Sequence, residues 1–144
     1  MHKFCEKLHH KLVDAGFDSK IYKEDFIIFK SPFTNTPIIK NYHVRFDKSR
    51  VQVFTMADII DILANTYSDE DLAYALSQKA ISFGKDGVTV NVKEGSLLIS
   101  SLAIVGVFTS IESLYNKVYD TMMKCHGTFD DIIRELEWNK KNNP

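Results

Sequence analysis

The chain has 144 residues, 44% of them hydrophobic and 26% charged, with a formal net charge of −1; that size supports one domain able to bury most of its unfolded surface without disulfide or metal staples. Two cysteines exclude the dense framework of a small secreted fold, residues 1–6 hold no apolar signal-peptide core, and no apolar run nears the ~20 residues a membrane helix needs, so reduced thiols, a cytoplasmic location and no membrane contact are expected. Residues 1–55 carry 10 Lys+Arg against 6 Asp+Glu and residues 56–144 carry 8 against 13, a split of +4 and −5 that gives only a weak steering field.

In chain order, residues 2–15 read as a helix. Phe4, Leu8, Leu12 and Ala15 share its inward face, with Cys5 and Val13 at the border and Gly16 as the C-terminal stop. Residues 19–23 and 26–29 follow as two short strands joined at Glu24 and Asp25, and the apolar run from Phe26 to Phe29 suits an interior strand. Residues 31–37, with Pro32 and Pro37, form a loop that no strand ladder can accommodate. Phe33 in its middle is either tucked onto the core or offered to a partner.

Residues 38–46 and 51–54 flank the turn at 47–50. Tyr42, Val44 and Phe46 alternate with His43 and Arg45, as do Val51 and Val53 with Arg50 and Gln52, the pattern of a half-wet antiparallel sheet. One sheet face is therefore expected to be polar and to carry Lys40, His43, Arg45, Arg50 and Gln52. Two helices are expected over residues 57–66 and from Ser68 to about Phe83, the second capped by Ser68 with Asp69, Glu70 and Asp71 at its positive end. A turn at 84–87 leads to a strand at 88–92, which turns back into the apolar strand at 97–105. That last run is rich enough in Leu, Ile and Val to require cover. Cover comes from the next helix, in which Ile111, Leu114, Tyr115, Val118 and Met122 fall on one face. A capping box from Thr109 to Glu112 starts that helix and Gly127 ends it. Thr128 then caps a short final helix with Phe129, Ile132, Ile133 and Leu136 inward. Residues 1–138 make one α+β domain, an antiparallel sheet of five to six strands packed by N-terminal and C-terminal helices, and 139–144 a polar tail expected to fray.

No nucleophile elbow or phosphate-binding loop occurs, and the acidic residues cluster at helix starts, where the helix dipole accounts for them. Cys5, His9, Cys125 and His126 are the one set with zinc-like chemistry, but without compact spacing, so no metal, cofactor or catalytic residue is assigned. The expected function is protein binding through the sheet face and the loop from Pro32 to Pro37, by Phe33, Lys40, Tyr42, His43, Arg45 and Arg50, as an adaptor or chaperone-like module or as an inhibitor that occludes a host factor. Binding of nucleic acid by the basic face around residues 40–50 is the alternative, since cations interleaved with aromatics on a sheet can stack bases.

The order of elements resembles the YbjN-like proteins of bacteria, whose fold is shared with type III secretion chaperones. The residues that carry the likeness are Leu8, Leu12, Gly16 and Phe17 at the start, then residues 88–92, 97–105 and the helix from Ser110. The loop with Pro32 and Pro37 and the helix after Gly127 lie outside it. The resemblance implies an α+β protein that binds other proteins, often as a dimer, and brings no catalytic residues.

Overall fold

The computed structural model describes residues 2–33, 39–58, 87–93, 96–106 and 109–142. Its elements run α1 (Lys3–Asp14), β1 (Ser19–Ile21), β2 (Phe26–Lys30), β3 (Asn41–Asp47), β4 (Arg50–Asp58), β5 (Val88–Lys93), β6 (Ser96–Ile104) and α2 (Ile111–Asn142). The six strands form one antiparallel sheet in the order β1-β2-β3-β4-β6-β5. The expected α+β architecture, a sheet packed by the first and last helices, is the one observed.

Alternation along each strand sorts the side chains onto two faces. On the inner face Ile27, Phe29, Tyr42, Val44, Val51, Val53, Leu97 and Ile99 are at most 2% exposed. Phe4, Cys5, Leu8 and Leu12 of α1 and Leu114, Val118, Met122, Cys125 and Phe129 of α2 join them in one core. Helix α1 packs on β1 and β2, α2 on β4, β5 and β6, and the two helices touch each other. Burying one such Leu or Ile side chain contributes roughly 1.5–3 kcal/mol.

Local chemistry explains the ends of α1. His2 is its N-cap: Nδ1 accepts the Phe4 N–H at 3.3 Å while Nε2 donates to the Lys48 carbonyl at 2.5 Å, which fixes the proton on Nε2. Its ring lies 5.0 Å from that of Phe46, so the cap ties the helix to the β3–β4 turn. At the other end the Gly16 N–H bonds the Val13 carbonyl and the Phe17 N–H the Leu12 carbonyl, both at 3.0 Å, a Schellman motif. Gly16 has φ +94°, where a Cβ would be strained. Ala15 is the C-cap and is exposed instead of inward; Cys5 is fully buried, and Val13, 46% exposed, faces solvent.

Helix α2 departs most from expectation. It passes through Gly127 without a break and absorbs the expected final helix, running to Asn142 and so into the segment expected to fray. A glycine ends a helix when the chain must turn left-handed; Gly127 has no positive φ, and burial of Thr128 and Phe129 continues the face begun at Leu114. The side chains of Ile132, Ile133 and Leu136 lie outside those described. The cap also shifts by one residue. The Ser110 hydroxyl accepts the Ser113 N–H at 3.1 Å, whereas Thr109 Oγ1 accepts the Gly106 N–H at 2.8 Å. Glu112 does not close a capping box but meets Lys11 of α1 at 2.5 Å.

Strand β4 continues through Ala57 and Asp58, the expected start of the first middle helix; the remainder of that helix, the second one, and residues 84–86 of the turn lie outside the described residues.

Candidate functional site

The outer sheet face is where the expected site residues can be tested. Register places Ile28, His43, Phe54 and Ser100 in one row across β2, β3, β4 and β6, Phe26, Arg45, Gln52 and Leu102 in the next, and Asp47, Arg50 and Ile104 at the β3–β4 turn. The face is not simply polar, as alternation had suggested. Phe26, His43 and Phe54 cluster, with His43 stacked on Phe54 at 4.9 Å and 15° and Phe26 at 5.7 Å from His43 and 6.1 Å from Phe54. Burial in this cluster leaves His43 Nδ1 without a hydrogen-bond partner and lowers the imidazole's pKa from its ordinary value, because water no longer stabilises the charged form.

Toward the β3–β4 turn the same face opens. Leu102 is 57% and Ile104 73% exposed, and Met56, opposite Leu98 farther along, is 55% exposed. Beside them stand Arg45 and Arg50, both exposed. Arg45, Asp47, Arg50, Gln52 and Leu102 line an open cavity of about 160 Å³. A second hollow of about 250 Å³ lies over β1 and β2 between Lys20, Tyr22, Ile28 and Asn41, bordered by the exposed Lys30–Asp18 ion pair at 3.3 Å.

No family model matches the sequence, and no curated protein matches it. Among solved structures, YbjN from E. coli covers 90% of this chain and 92% of its own, with a TM-score of 0.62 at 12% identity. A chain of the ExsC-ExsE complex covers 84% and 86%, with a TM-score of 0.43 at 10% identity. The fold is YbjN-like. At that identity the likeness is one of architecture, and architecture does not assign function; the site must be argued from its own residues.

Six residues were expected to meet a partner, and the structure divides them. Arg45, Arg50 and His43 share the outer face, and Lys40 is exposed just ahead of β3. Tyr42 is a correction: it is 0% exposed on the inner face, stacked on Phe29 at 5.6 Å, because position 42 has the inward parity of Val44. Phe33 is a second correction. It is tucked rather than offered, its ring stacked on His126 of α2 at 3.8 Å and 12° and packed against the core.

Leu102 and Ile104 were missed because the whole run 97–105 was read as needing cover. Of its apolar side chains, Leu97, Ile99, Ala103 and Val105 are buried and Leu98 is half-buried, whereas Leu102 and Ile104 are exposed. A signal was present: Ser100 and Ser101 interrupt the run, which marks a strand with one covered face rather than two.

The zinc-like set is dispersed into packing roles. Cys5 and Cys125 are free and fully buried; burial pushes the Cys125 thiol up to about 12 and also raises that of Cys5, with Asp25 adding to it. Such thiols are poor nucleophiles. His9 Nδ1 is 2.9 Å from the Ser19 hydroxyl. Among the described residues no group of three or more His, Cys, Asp or Glu side chains is placed to hold a metal ion, and no described helix is long and apolar enough to cross a membrane.

Proposed function

We propose that this protein is a non-enzymatic protein-binding module that works through the outer face of its sheet at the β3–β4 turn, in a reduced, cytoplasmic setting consistent with its free thiols. The observation that carries the reading is the exposure of Leu102 and Ile104 on a regular sheet face, beside Arg45 and Arg50. Apolar side chains grouped this way on rigid strands suit a docking surface. His43 lies in the next row of the same face, whereas Tyr42 is buried on the inner face and Phe33 stacks on His126 of α2. Adaptor, chaperone-like and inhibitory roles all use such a surface.

The basic residues alone would also suit nucleic acid. Base binding on a sheet needs exposed rings; the exposed ring of Tyr22 stands beyond the β1 edge strand, edge-on to Phe26, whereas Phe26, His43 and Phe54 nearer the arginines are only partly exposed and pack on one another. The exposed residues beside the arginines are aliphatic, which favours protein.

Immobilised wild-type chain and a Leu102→Ser/Ile104→Ser variant, incubated with nuclease-treated host lysate, test the proposal. Saturable capture of a protein by the wild type alone supports it. Identical capture by both, or binding to single-stranded DNA or RNA that falls steeply with salt, contradicts it.

A further inference from the structure

The cations on this face stand in a specific arrangement. Arg45 is opposite Gln52 and Arg50 opposite Asp47, so the two arginines are diagonal neighbours on adjacent strands, with Cβ atoms ~7 Å apart in that register. Among the described residues the ion pairs use His10, Lys11, Lys30, Lys124 and Arg134; neither Arg45 nor Arg50 has one. Asp47, opposite Arg50 and lining the same cavity, offsets one of these two positive charges, so the site keeps a net positive charge that a further anion between the arginines complements. The cavity that both line, about 160 Å³ and walled on one side by Leu102, has room for a carboxylate and the methylenes that carry it. Guanidinium groups match a carboxylate with paired hydrogen bonds.

The apolar part sets the rest of the occupant. Of the outer-face positions of β6, Leu102 and Ile104 are exposed, Leu98 is half-buried and Ser100, between Leu98 and Leu102, is buried; the span from Leu98 to Ile104 is about 20 Å at strand spacing, which is about 13 residues of α-helix. What is free here is a face, not an edge, and the inner face of the same strand is already packed by a helix, α2.

Building on the docking reading above, we infer that the occupant is an acidic amphipathic helix of a partner protein, three to four turns long. It lies along the outer face of β6, sets aliphatic side chains on Leu102 and Ile104, and places an Asp or Glu carboxylate between Arg45 and Arg50. The cations then select for acidic partners, and the aliphatic pair supplies the burial.

A displayed library of 14-residue helical peptides, selected against the full chain, tests this. Recovered sequences are expected to be rich in Asp and Glu three or four positions from Leu or Ile. Individual peptides should bind the wild type at least about tenfold more tightly than Arg45→Glu/Arg50→Glu, and should lose Leu102→Ser/Ile104→Ser altogether. All four positions are exposed, and circular dichroism of each variant verifies the fold. Peptides that need Leu102 and Ile104 yet bind the charge-reversed variant equally overturn the acidic partner while leaving the docking face intact. Peptides indifferent to both variants overturn the face itself. Failure to enrich any acidic sequence, or self-association of the chain through Leu102 and Ile104 in sedimentation, also overturns the inference.

Discussion

The two faces of the sheet use the same residue types for opposite ends. On β6, Leu97 and Ile99 are 0% exposed under the helices, whereas Leu102 and Ile104, a few residues on, are 57% and 73% exposed. On β3, Tyr42 is fully buried and its neighbour His43 belongs to the outer aromatic cluster. Apolar character alone therefore does not distinguish core from contact surface; strand parity and the side on which the helices pack do.

The sharpest way to break this comparison is to truncate one residue on each side. Leu97→Ala opens a cavity under α2 and should lower unfolding free energy by about 2–5 kcal/mol, read from urea titration, while Ile104→Ala should stay within about 0.5 kcal/mol of the wild type. Equal losses at both positions would mean that the outer face is structural. The helices that cover the inner face give a second contrast. Gly16→Ala strains a residue at φ +94° and should cost about 1–2 kcal/mol. Gly127→Ala meets nothing within 4 Å and should stabilise α2 by roughly 0.5–1 kcal/mol, so thermal melting should move in opposite directions for the two.

Tyr42 and His43 sharpen the contrast at a single step along the chain. The Tyr42 hydroxyl is buried without a hydrogen-bond partner among the described residues, and burial, with Cys125 nearby, raises its pKa. Tyr42→Phe removes an unpaired polar group and should leave stability unchanged or slightly higher in urea titration. For His43 the folded-state pKa lies below the unfolded value. The unfolded chain therefore takes up the proton first, so the full stability is present above pH ~6.5 and declines as pH falls from there toward the folded pKa. Urea titrations between pH 7.5 and 5 should show a shallower decline for His43→Gln than for the wild type. Parallel profiles would mean that the imidazole is better solvated than its packing implies.

Much of the architecture was legible in the sequence. Periodicity located α1, both hairpins and the pairing of β5 with β6, because alternation and helical spacing are direct consequences of burying one face. The readings that failed depended on conformation or tertiary side. Gly127 reads as a stop, yet only backbone dihedrals tell a stop from a passenger. Thr109 and Ser110 are equivalent caps on paper, and the Gly106 N–H claims one of them. Tyr42 looked like a partner residue because it neighbours cations in sequence, although parity turns it inward. For the site, Arg45, Arg50, His43 and Lys40 were named from alternation, but their aliphatic neighbours come from β6, some 50 residues away, and only the β4–β6 register brings them together.

The outer face is not the only place with exposed apolar residues: Val13, Tyr119 and Met123 on the helices are 41–46% exposed. Replacing either Ile104 or Met123 with a photo-crosslinking amino acid and irradiating intact host cells decides between the two surfaces. A discrete protein adduct is expected from position 104, abolished by Arg45→Glu/Arg50→Glu, and none from position 123; an adduct at 123 alone would place the contact surface on α2 instead.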